Sequence, residues 1–165
     1  MTPKRLLQTA VLPALAELGL QGIKDSPEAR RLLVAIAMQE SGLRHRRQVS
    51  ADGQESGPAV SWWQFERAGG CRGVLTHRVI SPLMLRICDL YDIDASELGL
   101  WEAMRYQDVV AAAAARLLIY TLPSPLPASP EDGWNQYIQA WRPGKPRPET
   151  WGANWAIAES VVQGA

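Results

Sequence analysis

The chain has 165 residues, 47% of them hydrophobic, which fits one domain with a packed core and excludes a largely disordered protein. Seventeen Lys and Arg balance seventeen Asp and Glu, so the basic excess of a nucleic-acid-binding protein is missing and no nucleic acid is expected as a partner. Cys71 and Cys88 are too few for a disulfide framework and match no zinc spacing, and His45 and His77 are the only histidines, so neither a metal nor another cofactor is expected.

Pro3 to Leu18 carries apolar residues at helical spacing and stops at Gly19, which predicts a first helix. Lys4 and Arg5 precede the apolar stretch from Leu6 to Leu20, but Gln8, Thr9, Pro13 and Glu17 interrupt it. It is too short and polar for a membrane span and shows no small-residue cleavage site, so neither a signal peptide nor stable membrane insertion is expected. Ser26 then reads as an N-cap, with Pro27 at the first helical position and Glu28 in the first turn. That helix carries Leu32, Leu33, Ile36, Ala37 and Met38 towards a core and ends at Gly42.

Leu43 to Pro58 is polar, rich in Ser, Gly and charge, and reads as a loop; Arg44, His45, Arg46 and Arg47 form a basic cluster at its start. Ala59 to Phe65 is apolar, with Trp62 and Trp63 on opposite sides if extended. Gly69, Gly70 and Gly73 are expected to break the next stretch, before short helices near Val74–Val79 and Pro82–Tyr91 and another starting near Ser96. A long helix is predicted from Trp101 to Tyr120, its alanine run at 111–115 favouring helix and close packing at the centre of the domain. Four prolines mark Leu122 to Pro130 as a connection. Ser129 and Pro130 open a helix to about Trp141, and Pro148 opens the last helix, ending by Gly164. The expected fold is all-α, a single compact helical domain over residues 1–165, with at most a small irregular or β-like excursion near 50–65.

Glu40 stands out. It lies in the last turn of an apolar helix, where the helix dipole opposes a carboxylate. One account is an ion pair with Arg44 at the i+4 position. The other is a proton donor whose pKa is lifted by apolar surroundings, as the cleavage of a glycosidic bond requires. Seven tryptophans against one phenylalanine would serve a groove where sugar rings stack, or fill the core, where roughly half of them are expected. An inverting hydrolase needs a second carboxylate; Asp52, Glu55 and Glu66 are the candidates, Glu66 the best placed by sequence. Without one, a single Glu serves as acid and then base and leaves an internal anhydro sugar.

Three segments in order carry a family resemblance. Gln39–Glu40–Ser41–Gly42–Leu43 resembles the Glu-Ser motif of the soluble lytic transglycosylase and goose-type lysozyme superfamily. Pro58–Ala59–Val60–Ser61–Trp62–Trp63–Gln64 stands where that family has Gly-Ala-x-Gly-Leu-Met-Gln, keeping Ala59 and Gln64. Ala140–Trp141–Arg142–Pro143–Gly144 stands where it has Ala-Tyr-Asn-Ala-Gly, with Trp141 and Arg142 departing. The resemblance covers Ala35 to Gly144 and implies cleavage of the β-1,4 bond between N-acetylmuramic acid and N-acetylglucosamine. It implies Glu40 as general acid, and Ser41, Gln64, Trp62 and Trp141 at the substrate or around the acid. Tyr137, one turn before Trp141, is expected to supply the hydroxyl that an indole lacks. The departures fit a phage-encoded member. Its partners are then peptidoglycan glycan strands and other virion proteins, and it is made in the host cytoplasm to act in the periplasm, the cell wall or a virion. The same departures also fit an inactive tail, baseplate or wall-binding protein. The basic cluster alone points to a third reading, a DNA- or protein-interacting helical regulator.

Overall fold

A computed structural model describes residues 1–164. The first helix forms as expected, but in three pieces: α1 (Pro3–Leu6), a π-helical turn (Leu7–Val11) and α2 (Leu12–Gly19). Pro13 accounts for the irregularity, since it has no N–H to give and its ring crowds the carbonyl of Thr9. The turn yields, and the Leu12 N–H reaches back five residues to the Leu7 carbonyl. Thr2 caps the start through its Oγ1, which accepts from the Arg5 N–H at 3.2 Å.

α3 (Pro27–Ser41) begins at the predicted cap, where Ser26 Oγ accepts the Ala29 N–H at 3.2 Å. It ends where Gly42 enters the left-handed region at φ 56°. The excursion expected near 50–65 is a two-stranded antiparallel hairpin, β1 (Ala59–Val60) and β2 (Phe65–Glu66), paired Ala59 with Glu66 and Val60 with Phe65. Its turn is tight: Ser61 and Gln64 both adopt positive φ, at 68° and 53°. Trp63 anchors it by donating its Nε1–H to the Leu33 carbonyl of α3 at 2.9 Å.

The glycines expected to break the next stretch lie inside a helical run instead. A π-helical turn (Arg67–Cys71) leads into α4 (Arg72–Thr76), which stops three residues earlier than expected because His77 is extended. Gly70 is there for packing, since a Cβ on it would overlap the Phe65 ring. α5 (Ser81–Leu90) follows, and α6 (Glu97–Met104) begins where Ser96 Oγ accepts the Gly99 N–H at 3.0 Å. The long helix expected from Trp101 to Tyr120 is two helices. Arg105 to Gln107 break it, and α7 (Asp108–Tyr120) starts afresh. At the break the Asp108 carboxylate meets the Arg46 guanidinium in two parallel bonds, from Nη1 to Oδ1 and from Nη2 to Oδ2. Propensity along the chain carries no sign of that distant ion pair.

α7 is the central helix: Val110 to Leu117 are all buried, the five alanines completely. α8 (Pro130–Trp141) starts at Ser129, whose Oγ accepts the Asp132 N–H at 3.1 Å, and α9 (Pro148–Gln163) packs along α3. Where α8 and α9 meet, Gly133 leaves room for the Trp155 ring. One continuous hydrophobic core runs from Leu6 to Ala158. Trp62, Trp63, Trp151 and Trp155 are buried in it, and Trp101, Trp134 and Trp141 are half-buried. Cys71 and Cys88 are buried free thiols. Among the described residues no helix is long and apolar enough to cross a membrane.

Candidate active site

The C-terminal end of α3, the hairpin, the last turns of α8 and the connection from α8 to α9 enclose a cleft of about 860 Å³. Glu40 lines it from α3, Gln64, Phe65 and Glu66 from the hairpin, and Tyr137, Gln139 and Trp141 from α8.

Glu40 is half-buried, and its carboxyl is held above the ordinary glutamate range. Loss of water around it is the main cause; a hydrogen bond from Tyr137 and the nearby Arg147 guanidinium pull the other way without overcoming it. The Tyr137 hydroxyl donates to Glu40 Oε1 at 2.6 Å, and Oε2 accepts no hydrogen bond from the described residues. Burial and the adjacent Glu40 charge push the Tyr137 phenol far up, so it remains a donor. Its ring is fixed by stacking on Trp151, 5.5 Å between centroids and 11° between planes. Trp151 is in turn tied through Nε1 to the Pro130 carbonyl at 2.7 Å. One Glu40 oxygen is therefore oriented by Tyr137, and the other has no partner among the described residues.

The pairing of Glu40 with Arg44 does not form; among the described residues no ion pair involves Glu40. Two arginines of the basic cluster that follows it are engaged elsewhere. Arg46 pairs with Asp108 and lies over the Trp62 ring, and Arg47 donates to the Gly57 carbonyl and lies over Trp101.

Gln64 reaches the cleft, its Nε2 donating to the Ser61 carbonyl at 2.8 Å. Trp141 lines the cleft too, but its Nε1–H is taken by the Trp63 carbonyl at 2.9 Å. It pins the hairpin to α8, and the orienting contact to Glu40 comes from Tyr137 one turn earlier. Ser41 points back along its helix: Oγ donates to the Ala37 carbonyl at 2.9 Å and accepts the Leu43 N–H at 3.2 Å. Trp62 is buried beneath Arg46 and does not line the cleft. Of the three further carboxylates only Glu66 lines it. Glu55 sits in the exposed loop, 2.9 Å from His45, and Asp52 Oδ1 there accepts the Gln54 N–H at 3.0 Å.

No family model, no curated protein and no solved structure matches this chain.

Two residues that sequence reasoning passed over hold the site together. Gln39 is 1% exposed, and its side chain is the hub between α3 and α9. Its Nε2 donates to the Arg147 carbonyl at 2.9 Å, and its Oε1 accepts from Thr150 at 3.0 Å and Asn154 at 2.8 Å. Arg147 answers by donating Nη2 to the Gln39 carbonyl at 2.5 Å. That reciprocal clamp brings a guanidinium near Glu40 from the connection between α8 and α9. Among the described residues no three His, Cys, Asp or Glu side chains are grouped as a metal site.

Proposed function

We propose that this chain is a peptidoglycan-cleaving enzyme of the lysozyme or lytic transglycosylase kind, with Glu40 as its general acid. The observation that carries the reading is the Glu40 carboxyl itself. It lines an open cleft, burial favours its protonated form, and a tyrosine hydroxyl orients it. A carboxyl in that condition can protonate the leaving oxygen of a glycosidic bond as an oxocarbenium-like centre develops on the sugar. The order of the Glu-Ser, Ala-x-x-x-x-Gln and Ala-Trp-x-x-Gly segments supports the choice of wall glycan as substrate, with action in the periplasm, the cell wall or a virion.

Glu66 is the other carboxylate of the cleft lining. In a hydrolase it activates the incoming water. In a transglycosylase Glu40 takes back a proton from the sugar's own C6 hydroxyl, which closes the anhydro ring. Purified sacculi incubated with wild type, Glu40→Gln and Glu66→Gln, followed by mass spectrometry of the released muropeptides, test both points. We expect Glu40→Gln to lose at least about 100-fold in release. Anhydro ends that persist in Glu66→Gln identify the transglycosylase, and reducing ends lost with Glu66 identify the hydrolase. Equal release by wild type and Glu40→Gln refutes the acid. Sacculus binding without any release favours instead a wall-binding or virion component that keeps the cleft and lacks the chemistry.

A further inference from the structure

Resting on that reading for the identity of the polymer, we propose that residues 142–147, joining α8 to α9, form a carboxylate-binding rim that makes the cleft selective for acidic glycan strands over neutral ones. Arg142, Lys145 and Arg147 all line the cleft and all come from this one stretch. They are exposed, and none has a carboxylate within 4.0 Å among the described residues. The lining contains only Glu40 and Glu66 as carboxylates, and burial holds Glu40 towards its neutral form. The field of the cleft is therefore positive, in a chain whose formal net charge is zero.

The three cations differ in freedom. Arg147 is fixed to the Gln39 carbonyl and contributes charge at a set place. Arg142 and Lys145 make no hydrogen bond or ion pair through their side chains to the described residues, so their heads can follow a ligand. Arg142 also occupies the left-handed region, φ 49°, at the end of α8. Glycine or asparagine holds that conformation at lower cost, so an arginine there is placed against local preference. Pro143, Pro146 and Pro148 restrict the stretch, so little backbone order is lost on binding. In the cluster at 44–47, which looks along the sequence like the natural anion site, Arg46 is taken by Asp108 and Trp62, Arg47 by Gly57 and Trp101, and His45 by Glu55, and none of the four residues lines the cleft.

Wall glycan carries carboxylates on its peptide stems and, where an amidase has removed a stem, on the lactyl ether of muramic acid, whose carboxyl is otherwise tied in the amide to the stem. Chitooligosaccharides share the β-1,4 backbone and carry neither. Fluorescence anisotropy with the Glu40→Gln protein compares labelled strands of three kinds: stem-bearing glycan, amidase-stripped glycan whose lactyl carboxylate is freed by the cut, and chitooligosaccharide of equal length. We expect stem-bearing strands to bind about tenfold or more tighter than chitooligosaccharide at low salt, the preference shrinking between about 50 and about 300 mM salt. Adding Arg142→Asn and Lys145→Gln brings the preference below about threefold while Tm is kept, since asparagine suits the left-handed position. Stripped strands that bind like stem-bearing ones show that the rim takes a carboxylate from either source; stripped strands that bind like chitooligosaccharide assign it to the stems. Should the double substitution fail to fold, Lys145→Glu alone, at an exposed position, must still weaken the preference. Equal or absent binding of all three strands, or a preference unchanged in the folded variants, overturns the rim. Anisotropy needs no turnover, so charge-selective binding by a wild type that releases no muropeptides would overturn the glycosidase and leave the rim in place.

Discussion

Glu40 and Tyr137 govern each other's protons. The Tyr137 hydrogen bond favours the Glu40 carboxylate, so removing it in Tyr137→Phe lifts the Glu40 pKa further. A general acid loses activity as pH rises through its own pKa. The descending limb of the pH–rate profile is therefore expected to move to higher pH in Tyr137→Phe, with the low-pH rate reduced about tenfold as the carboxyl loses its orientation. A limb that stays put or moves down refutes the pairing. The same shift has a stability sign. Folded Glu40 holds its proton more tightly than the unfolded chain does, so its contribution is full below the ordinary glutamate pKa of about 4.3 and is lost as pH rises through the raised folded value. Glu40→Gln has no charge to bury, so it should melt above wild type near pH 8, with the gap closing near pH 4. Thermal scans at the two pH values check this. Glu40 and Tyr137 were both singled out in the sequence, Glu40 by its conflict with the helix dipole together with the Glu-Ser resemblance, and Tyr137 as the hydroxyl one turn before Trp141 that the resemblance calls for. Gln39 was not, since nothing local distinguishes a glutamine that reaches α9 from one that faces water.

The helices that open on a Ser followed by a proline, α3 and α8, were readable because cap and first turn are local chemistry. The break in the first helix comes from Pro13 itself, while other departures have causes outside the local pattern. The long helix is cut where Asp108 meets Arg46, and in the helical run near 70 a glycine is needed at Gly70 because the Phe65 ring lies against it. Gly70→Ala is expected to push Phe65 out of the cleft wall and cost about 1–3 kcal/mol, measured by urea unfolding. The α3–α9 clamp is the stronger joint. Gln39→Ala leaves the half-buried Asn154 amide without its partner and takes one donor from the Arg147 carbonyl, which keeps those of Thr150, a loss of about 2 kcal/mol and about 6 °C in Tm. A change under about 1 kcal/mol would mean that water replaces those bonds readily.

At the scale of the molecule, one core joins residues that are far apart along the chain, and the cleft draws on positions from Gln39 to Arg147. Such a chain should unfold as a unit, so tryptophan fluorescence and far-UV circular dichroism should give coincident urea transitions. The buried thiols add a separate consequence. Cys71 is completely enclosed, and burial with the nearby Glu97 charge pushes its pKa up to about 12. A sulfur that stays protonated at any physiological pH is neither nucleophile nor easy target for an oxidant. The fold is thus blind to the redox poise of its surroundings: it should keep the same shape and the same melting point with dithiothreitol or with oxidised glutathione, in a reducing compartment or beyond one.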